Sequence, residues 1–249
     1  MSFEQIRLAV HGQVATITLH RPDALNAITT VMLGELAEAL DQISAARDIR
    51  VVVLTGEGRA FSAGVDLKAL GAIPLTNGKV GDVLDLPARA VIDRIAAIDA
   101  IVIAKVNGFC FTGALELALA CDLLIVAAEA RLGDTHAKWG LRPTWGMSQR
   151  LPAAIGPARA RLLSYTGQTF TGLEAAMWGL AALSFPRAEL DEAVDALSAT
   201  IAGNSPGALG AYKDLYQAAD RLALPDGLTY EATSDYPITD TDERIIAFR

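Results

Sequence analysis

Asn107-Gly108-Phe109-Cys110-Phe111-Thr112-Gly113-Ala114-Leu115-Glu116 is the stretch that decides how this chain is read. It follows Ile101 to Val106, a short apolar β-branched run that predicts a strand. Its centre, Phe111-Thr112-Gly113-Ala114, has the pattern aromatic, hydroxyl, small, small. Fifty residues earlier, Phe61-Ser62-Ala63-Gly64 repeats that pattern, again after an apolar run (Val51 to Leu54) and a glycine. The same order of elements around both suggests two turns of one repeating unit, with both backbones facing one pocket.

The small residues matter for chemistry. Ala63-Gly64 and Gly113-Ala114, each read as the start of a helix, leave backbone N–H groups free to point at an oxyanion. Glu116 lies one turn beyond Gly113 in an otherwise apolar run, Ala114 to Ala120. Two readings stand side by side: a partly buried glutamate paired with an arginine, or a general base in a site dry enough to tune its pKa.

Outward from this segment, Val14 to Leu19 alternates apolar residues with threonine and predicts another strand. Leu33, Leu36, Ala37, Leu40 and Ile43 share one helical face, with Thr29 or Thr30 as cap. Thr171 to Glu174 forms a capping-box pattern, and Ser205-Pro206 sets a cap before a first-turn proline. From Glu189 onward the pattern is helical. The chain therefore divides into an α/β core over residues 1–188 and a helical C-terminal region over 189–249. Gly71 to Asp85 has no clean period and reads as a loop, either a lid or a solvated insertion.

Composition excludes several classes. With 249 residues, 52% hydrophobic and 20% charged, the chain can bury a sizeable core. A net charge of −8 without a basic cluster speaks against a nucleic-acid partner. The first residues show no basic segment followed by an apolar one, so a cytoplasmic location is expected. The most apolar stretch, Gly113 to Ala128, is interrupted by Glu116 and Asp122, so no membrane span is expected. Cys110 and Cys121 lack metal-ligand spacing and read as reduced thiols. Gly56-Glu57-Gly58 begins a dinucleotide fingerprint but has Phe61 where its third glycine belongs. Ser62, Asp122 and His136 follow hydrolase order, yet the elbow glycine before Ser62 is missing and a turn hydroxyl is the alternative.

Taken together, four segments resemble the enoyl-CoA hydratase/isomerase (crotonase) family over nearly the whole chain. His20-Arg21-Pro22-Asp23-Ala24-Leu25-Asn26-Ala27 resembles its N-R-P-x-x-x-N-A motif, and Phe61 to Leu67 its F-x-A-G-x-D-L motif. Asn107 through Glu116 with Cys121-Asp122, and Gly140 through Leu151, resemble the two that follow. The resemblance implies an α/β spiral of ββα turns, a C-terminal helical trimerisation region, and a homotrimer or dimer of trimers. It implies an acyl-CoA thioester substrate, with coenzyme A belonging to the substrate and no further cofactor or metal. The substrate would lie against Ala24, Leu25, Ala63, Gly64, Val65, Asp66, Leu67 and Gly113. The N–H groups of Ala63 and Gly113 would hold the thioester oxygen, and Glu116 would match the first catalytic glutamate. The expected reaction is addition of water across the C2=C3 bond of a 2-enoyl-CoA.

Departures from the pattern bear on this expectation. His136 stands where hydratases carry a second glutamate; it would act as acid or base beside Glu116, or be a passive pocket residue. Some C–C hydrolases of the family resemble the chain in having this histidine, but with an aspartate further along, where this chain reads Thr144-Trp145. Isomerase chemistry and silent acyl-CoA binding are the other readings. Asp23 replaces a lysine that many relatives place near the CoA phosphates, with Arg21, Arg59 or Lys68 as candidates to compensate. A basic tail motif of many relatives does not occur before Arg249, so modest CoA affinity is expected. Trp139 and Trp145 are either walls of the acyl pocket or simple packing.

Overall fold

The computed structural model describes residues 3–68 and 75–248. In chain order the strands and helices are β1 (Ile6–His11), β2 (Val14–Leu19), α1 (Thr30–Ala45), β3 (Val51–Gly56), β4 (Ala60–Ser62) and α2 (Asp82–Ala97). They continue with β5 (Ile101–Val106), β6 (Phe109–Phe111), α3 (Gly113–Ala118), β7 (Leu123–Ala127), β8 (Arg131–Gly133), α4 (Met147–Ile155) and α5 (Pro157–Thr166). The last are β9 (Phe170–Thr171), α6 (Gly172–Met177), β10 (Leu183–Phe185), α7 (Leu190–Ala202), α8 (Pro206–Ala219), α9 (Leu224–Thr233) and α10 (Thr241–Phe248).

Each echo of the sequence corresponds to one turn of a spiral. β3 then β4, β5 then β6, and β7 then β8 send the first strand of each pair into a six-stranded sheet and the second into a four-stranded one. The large sheet has the order β1-β2-β3-β5-β7-β10, parallel except for the β1–β2 hairpin. The small sheet has the order β4-β6-β8-β9. All six residues of β3 are buried, as a parallel strand covered on both faces requires; hence its unbroken apolar run. β2 shows alternating burial instead, the period read from its threonines.

Capping follows the sequence closely. The Thr29 hydroxyl, rather than that of Thr30, accepts the Met32 N–H and starts α1, whose Leu33, Leu36, Leu40 and Ile43 are buried. Thr171 and Glu174 complete the capping box of α6, and the Ser205 hydroxyl caps α8.

The helices from Leu190 onward begin where the sequence predicts, but they do not stand apart from the core. α7 touches β2, β3, β5, β7 and β10. α8 sends Lys213, 7% exposed, into the core, where Nζ donates to the carbonyls of Ile95 (2.9 Å) and Ala100 (3.0 Å) and pairs with Asp122 at 2.9 Å. Within the predicted loop Gly71 to Asp85, residues 71–74 lie outside the described residues. Its end is a correction: Asp82 to Asp85 form the first turn of α2. No described helix is long and apolar enough to cross a membrane.

Candidate active site

β4 and β6 are parallel neighbours, so the two echoed segments emerge side by side at one end of the small sheet. Past β6 the chain turns through Thr112 at φ +48° and enters α3 at Gly113. As the first residue of that helix, Gly113 has an N–H with no intrahelical acceptor. The Trp145 indole packs against its Cα; a Cβ added there would stand 2.6 Å from Trp145 Cζ3. Glycine is thus required at 113 by lack of space.

The partner segment differs from the sequence expectation. Ala63-Gly64 does not open a helix. The chain instead forms a parallel bridge between Val65 and Ile28, in which Ile28 N–H donates to Gly64 O (2.8 Å) and Asp66 N–H to Ile28 O (2.9 Å). Ala63 N–H is already committed to Leu25 O at 2.9 Å, and Gly64 N–H to Ser62 Oγ at 3.1 Å. Because residues 64 and 66 bond toward Ile28, the N–H of Val65 between them points the opposite way. That side holds the other turn: Gly64, at φ +93°, packs so closely that a Cβ would lie 2.8 Å from Phe111 O. The donor facing Gly113 therefore belongs to Val65, and the assignment to Ala63 is corrected.

These donors line a cavity of about 1010 Å³. Of the expected binding residues, Ala24, Ala63, Val65, Asp66, Leu67 and Gly113 line it, while Leu25 and Gly64 do not; they shape it from behind. Asn26, fully buried, explains how: its side chain donates to Glu57 O (2.9 Å) and Ala60 O (2.8 Å) and accepts Arg21 N–H (2.9 Å), fastening the Arg21–Ala27 turn to the β3–β4 connection. Arg21 is engaged with Asp66 (3.0 Å) and Ala27 O (2.6 Å). Arg59 lies over Phe109, 6.0 Å from its ring centre, and is not in the cavity wall. Lys68 is, and so are Lys138 and Arg142, two cations the sequence reading passed over.

Glu116 and His136 both line the cavity, with Nε2 3.5 Å from Oε2. Glu116 is 1% exposed, and its Oε1 accepts the backbone N–H groups of Trp145 (2.9 Å) and Met147 (3.0 Å), so among the described residues no arginine is its partner. Burial pushes its carboxyl above the usual range, although those N–H groups and His136 pull the other way. On the far side of the imidazole, Nδ1 lies 2.6 Å from Asp134 Oδ1, and Asp134 Oδ2 accepts the Ser164 hydroxyl at 2.6 Å. Burial alone would raise Asp134, but the hydrogen bonds from His136 and Ser164 outweigh it and hold the carboxyl below its ordinary value. Asp134 sits two residues before His136 in Gly133-Asp134-Thr135-His136; that spacing was the available signal.

The same geometry removes the serine-hydrolase alternative. Ser62 serves the Gly64 turn, and Asp122 holds Val102 N–H and Lys213 rather than His136. Trp145 is 4% exposed, its Nε1 tied to Asp85 at 2.9 Å, whereas Trp139 is 65% exposed at the cavity wall. Trp145 is thus a fixed wall beside Gly113.

A family model described as enoyl-CoA hydratase/isomerase matches residues 9–248. The chain belongs to the enoyl-CoA hydratase/isomerase family. It is 34% identical over 251 residues to the probable enoyl-CoA hydratase of Mycobacterium bovis, covering 100% of this chain and 96% of that one. Among solved structures it is similar to enoyl-CoA hydratase subunit I from Geobacillus kaustophilus, at 32% identity and a TM-score of 0.88, covering 99% of this chain and 95% of that one. A Thermobifida fusca relative solved with acetoacetyl-CoA superposes with a TM-score of 0.83 at 31% identity, over 98% and 96% of the two chains. The ββα spiral is therefore the crotonase fold.

Proposed function

We propose that the chain is an enoyl-CoA hydratase that adds water across the C2=C3 bond of a 2-enoyl-CoA thioester. The observation that carries the reading is convergence: two proton-handling groups, Glu116 and His136, meet 3.5 Å apart on the wall that also holds Gly113 and Val65. The N–H groups of Val65 and Gly113 donate to the thioester oxygen. As hydroxide adds at C3, electron density moves onto that oxygen, and fixed backbone dipoles stabilise it without reorganising. Glu116 and His136, on one side of the bound thioester, exchange protons with the water and with C2, which makes the addition syn.

Coenzyme A enters as part of the substrate, and no further cofactor takes part in the proposed steps. Lys68, Lys138 and Arg142 at the cavity wall are the candidates for its phosphates, in place of the lysine that Asp23 replaces. Association into a homotrimer or dimer of trimers through the C-terminal helices is supported by apolar side chains left exposed there, among them Tyr216, Leu224, Leu228 and Ile246. Cys110 and Cys121 are both free thiols, consistent with a cytoplasmic location.

Hydration of crotonyl-CoA and longer 2-enoyl-CoA thioesters, followed by loss of the conjugated-thioester absorbance and by product analysis, tests the reading. Formation of the 3-hydroxyacyl-CoA is expected. Binding of these thioesters without turnover, or isomerised or hydrolysed product alone, would overturn it.

A further inference from the structure

Resting on that reading, we propose that Asp134 is a positioning residue that fixes the His136 proton on Nδ1, making His136 the acceptor of the water proton and Glu116 the donor to C2. A carboxylate only accepts hydrogen bonds, and Asp134 already receives the Ser164 hydroxyl at Oδ2 (2.6 Å) and the His136 backbone N–H at Oδ1 (3.3 Å). The 2.6 Å contact between Oδ1 and Nδ1 therefore places the hydrogen on Nδ1. The lone pair is left on Nε2, the nitrogen that faces Glu116 and the cavity. At 3.5 Å, Nε2 and Glu116 Oε2 are too far apart for a normal hydrogen bond, so that lone pair is open to a substrate water. An ionised Glu116 would set a buried negative charge against that lone pair. A neutral one does not, and burial acts on this carboxyl in that direction.

The protons balance through one turnover. Water gives a proton to Nε2 as its oxygen bonds to C3, and the C2=C3 electron pair moves toward the thioester oxygen held by Val65 and Gly113. The imidazolium so formed is stabilised by the Asp134 carboxylate. The enolate then collapses, C2 takes the proton of Glu116, and the carbonyl reforms. The next substrate water, bridging the 3.5 Å between them, takes the Nε2 proton and gives one to Glu116 Oε2, restoring both groups. The adjacency of the two side chains is explained as a return path, which a passive histidine would not need.

The test combines ¹⁵N NMR of the His136 ring in the wild-type protein with kinetics of Asp134→Asn and Ser164→Ala. The expected results are a proton on Nδ1 in the wild type, a fall in kcat of about 10²- to 10⁴-fold in Asp134→Asn with KM changed less than about threefold, and a smaller fall in Ser164→Ala. A wild-type proton on Nε2, or kcat of Asp134→Asn within about twofold of wild type, would overturn the proposal. The NMR arm does not depend on Asp134→Asn folding. Nor does it depend on the hydratase reading, which fails separately if the wild-type enzyme hydrates no enoyl-CoA.

Discussion

Gly113→Ala isolates the donor on which the proposed chemistry depends. The added Cβ would stand 2.6 Å from Trp145 Cζ3 and 3.1 Å from Cε3, where carbon atoms prefer about 3.5–4.0 Å. About 1 Å of relief is needed. The indole cannot easily supply it, because Nε1 is bonded to Asp85 at 2.9 Å and the Trp145 backbone N–H to Glu116 at 2.9 Å. The start of α3 must therefore retreat, carrying the Gly113 N–H away from the thioester oxygen. Overpacking of this kind costs about 1–3 kcal/mol of stability. Loss of one oxyanion donor costs about 10²- to 10³-fold in kcat. Steady-state hydration of crotonyl-CoA reads the second effect and thermal unfolding the first. Trp145→Ala in the same chain makes room for the methyl group, so the double variant should recover part of the kcat lost in Gly113→Ala, a coupling that a double-mutant cycle measures. Folded Gly113→Ala with kcat within about twofold of wild type would refute the argument.

Glu116→Gln keeps the acceptor for the Trp145 and Met147 N–H groups but removes the transferable proton; kcat should fall by about 10²- to 10⁴-fold. Because burial raises the Glu116 pKa, ionisation above the unfolded value weakens the fold as pH rises, so the same variant should melt higher than wild type near neutral pH, by calorimetry. Asp134 has the opposite sign: its pKa is held down, so its contribution to stability is present above the unfolded carboxylate range near pH 4 and disappears as pH falls through the lower folded value. Chemical denaturation across pH 2 to 6, a span of about two units either side of that range, should show a shallower acid slope in Asp134→Asn than in wild type. Lys213→Ala removes the ion pair to Asp122, which keeps its bond from Val102 N–H, and leaves the Ile95 and Ala100 carbonyls without the Nζ donor; it should cost about 1–3 kcal/mol in urea unfolding, with KM for the thioester little changed in the folded fraction.

The repeat that defines the fold was visible in the sequence because each turn of the spiral sets the same local problem: a strand, a tight turn and small residues where two backbones meet. Phe61 to Gly64 and Phe111 to Ala114 answer it with the same residue types, and β4 and β6 indeed lie side by side. Caps at Thr29, Thr171 and Ser205 were legible because each is decided within four residues. The direction of a single N–H was not. Ala63 and Val65 both belong to the motif, and what separates them is Leu25 O on one and the Ile28 bridge beside the other, both partners from nearly 40 residues earlier. The role of Asp134 was hidden for a similar reason, since it needs the fold of Asp134 to His136 and the Ser164 hydroxyl from α5. Asp85 looked like the end of a loop; its burial follows from Thr144 and Trp145, which donate to it at 2.6 and 2.9 Å.

The location of the thioester oxygen tests the account most directly. In a crystal structure of this protein with bound acetoacetyl-CoA, that oxygen should lie about 2.7–3.1 Å from both Val65 N and Gly113 N, with Ala63 N still bonded to Leu25 O. A thioester oxygen bonded to Ala63 N, or to neither Val65 nor Gly113, would contradict it.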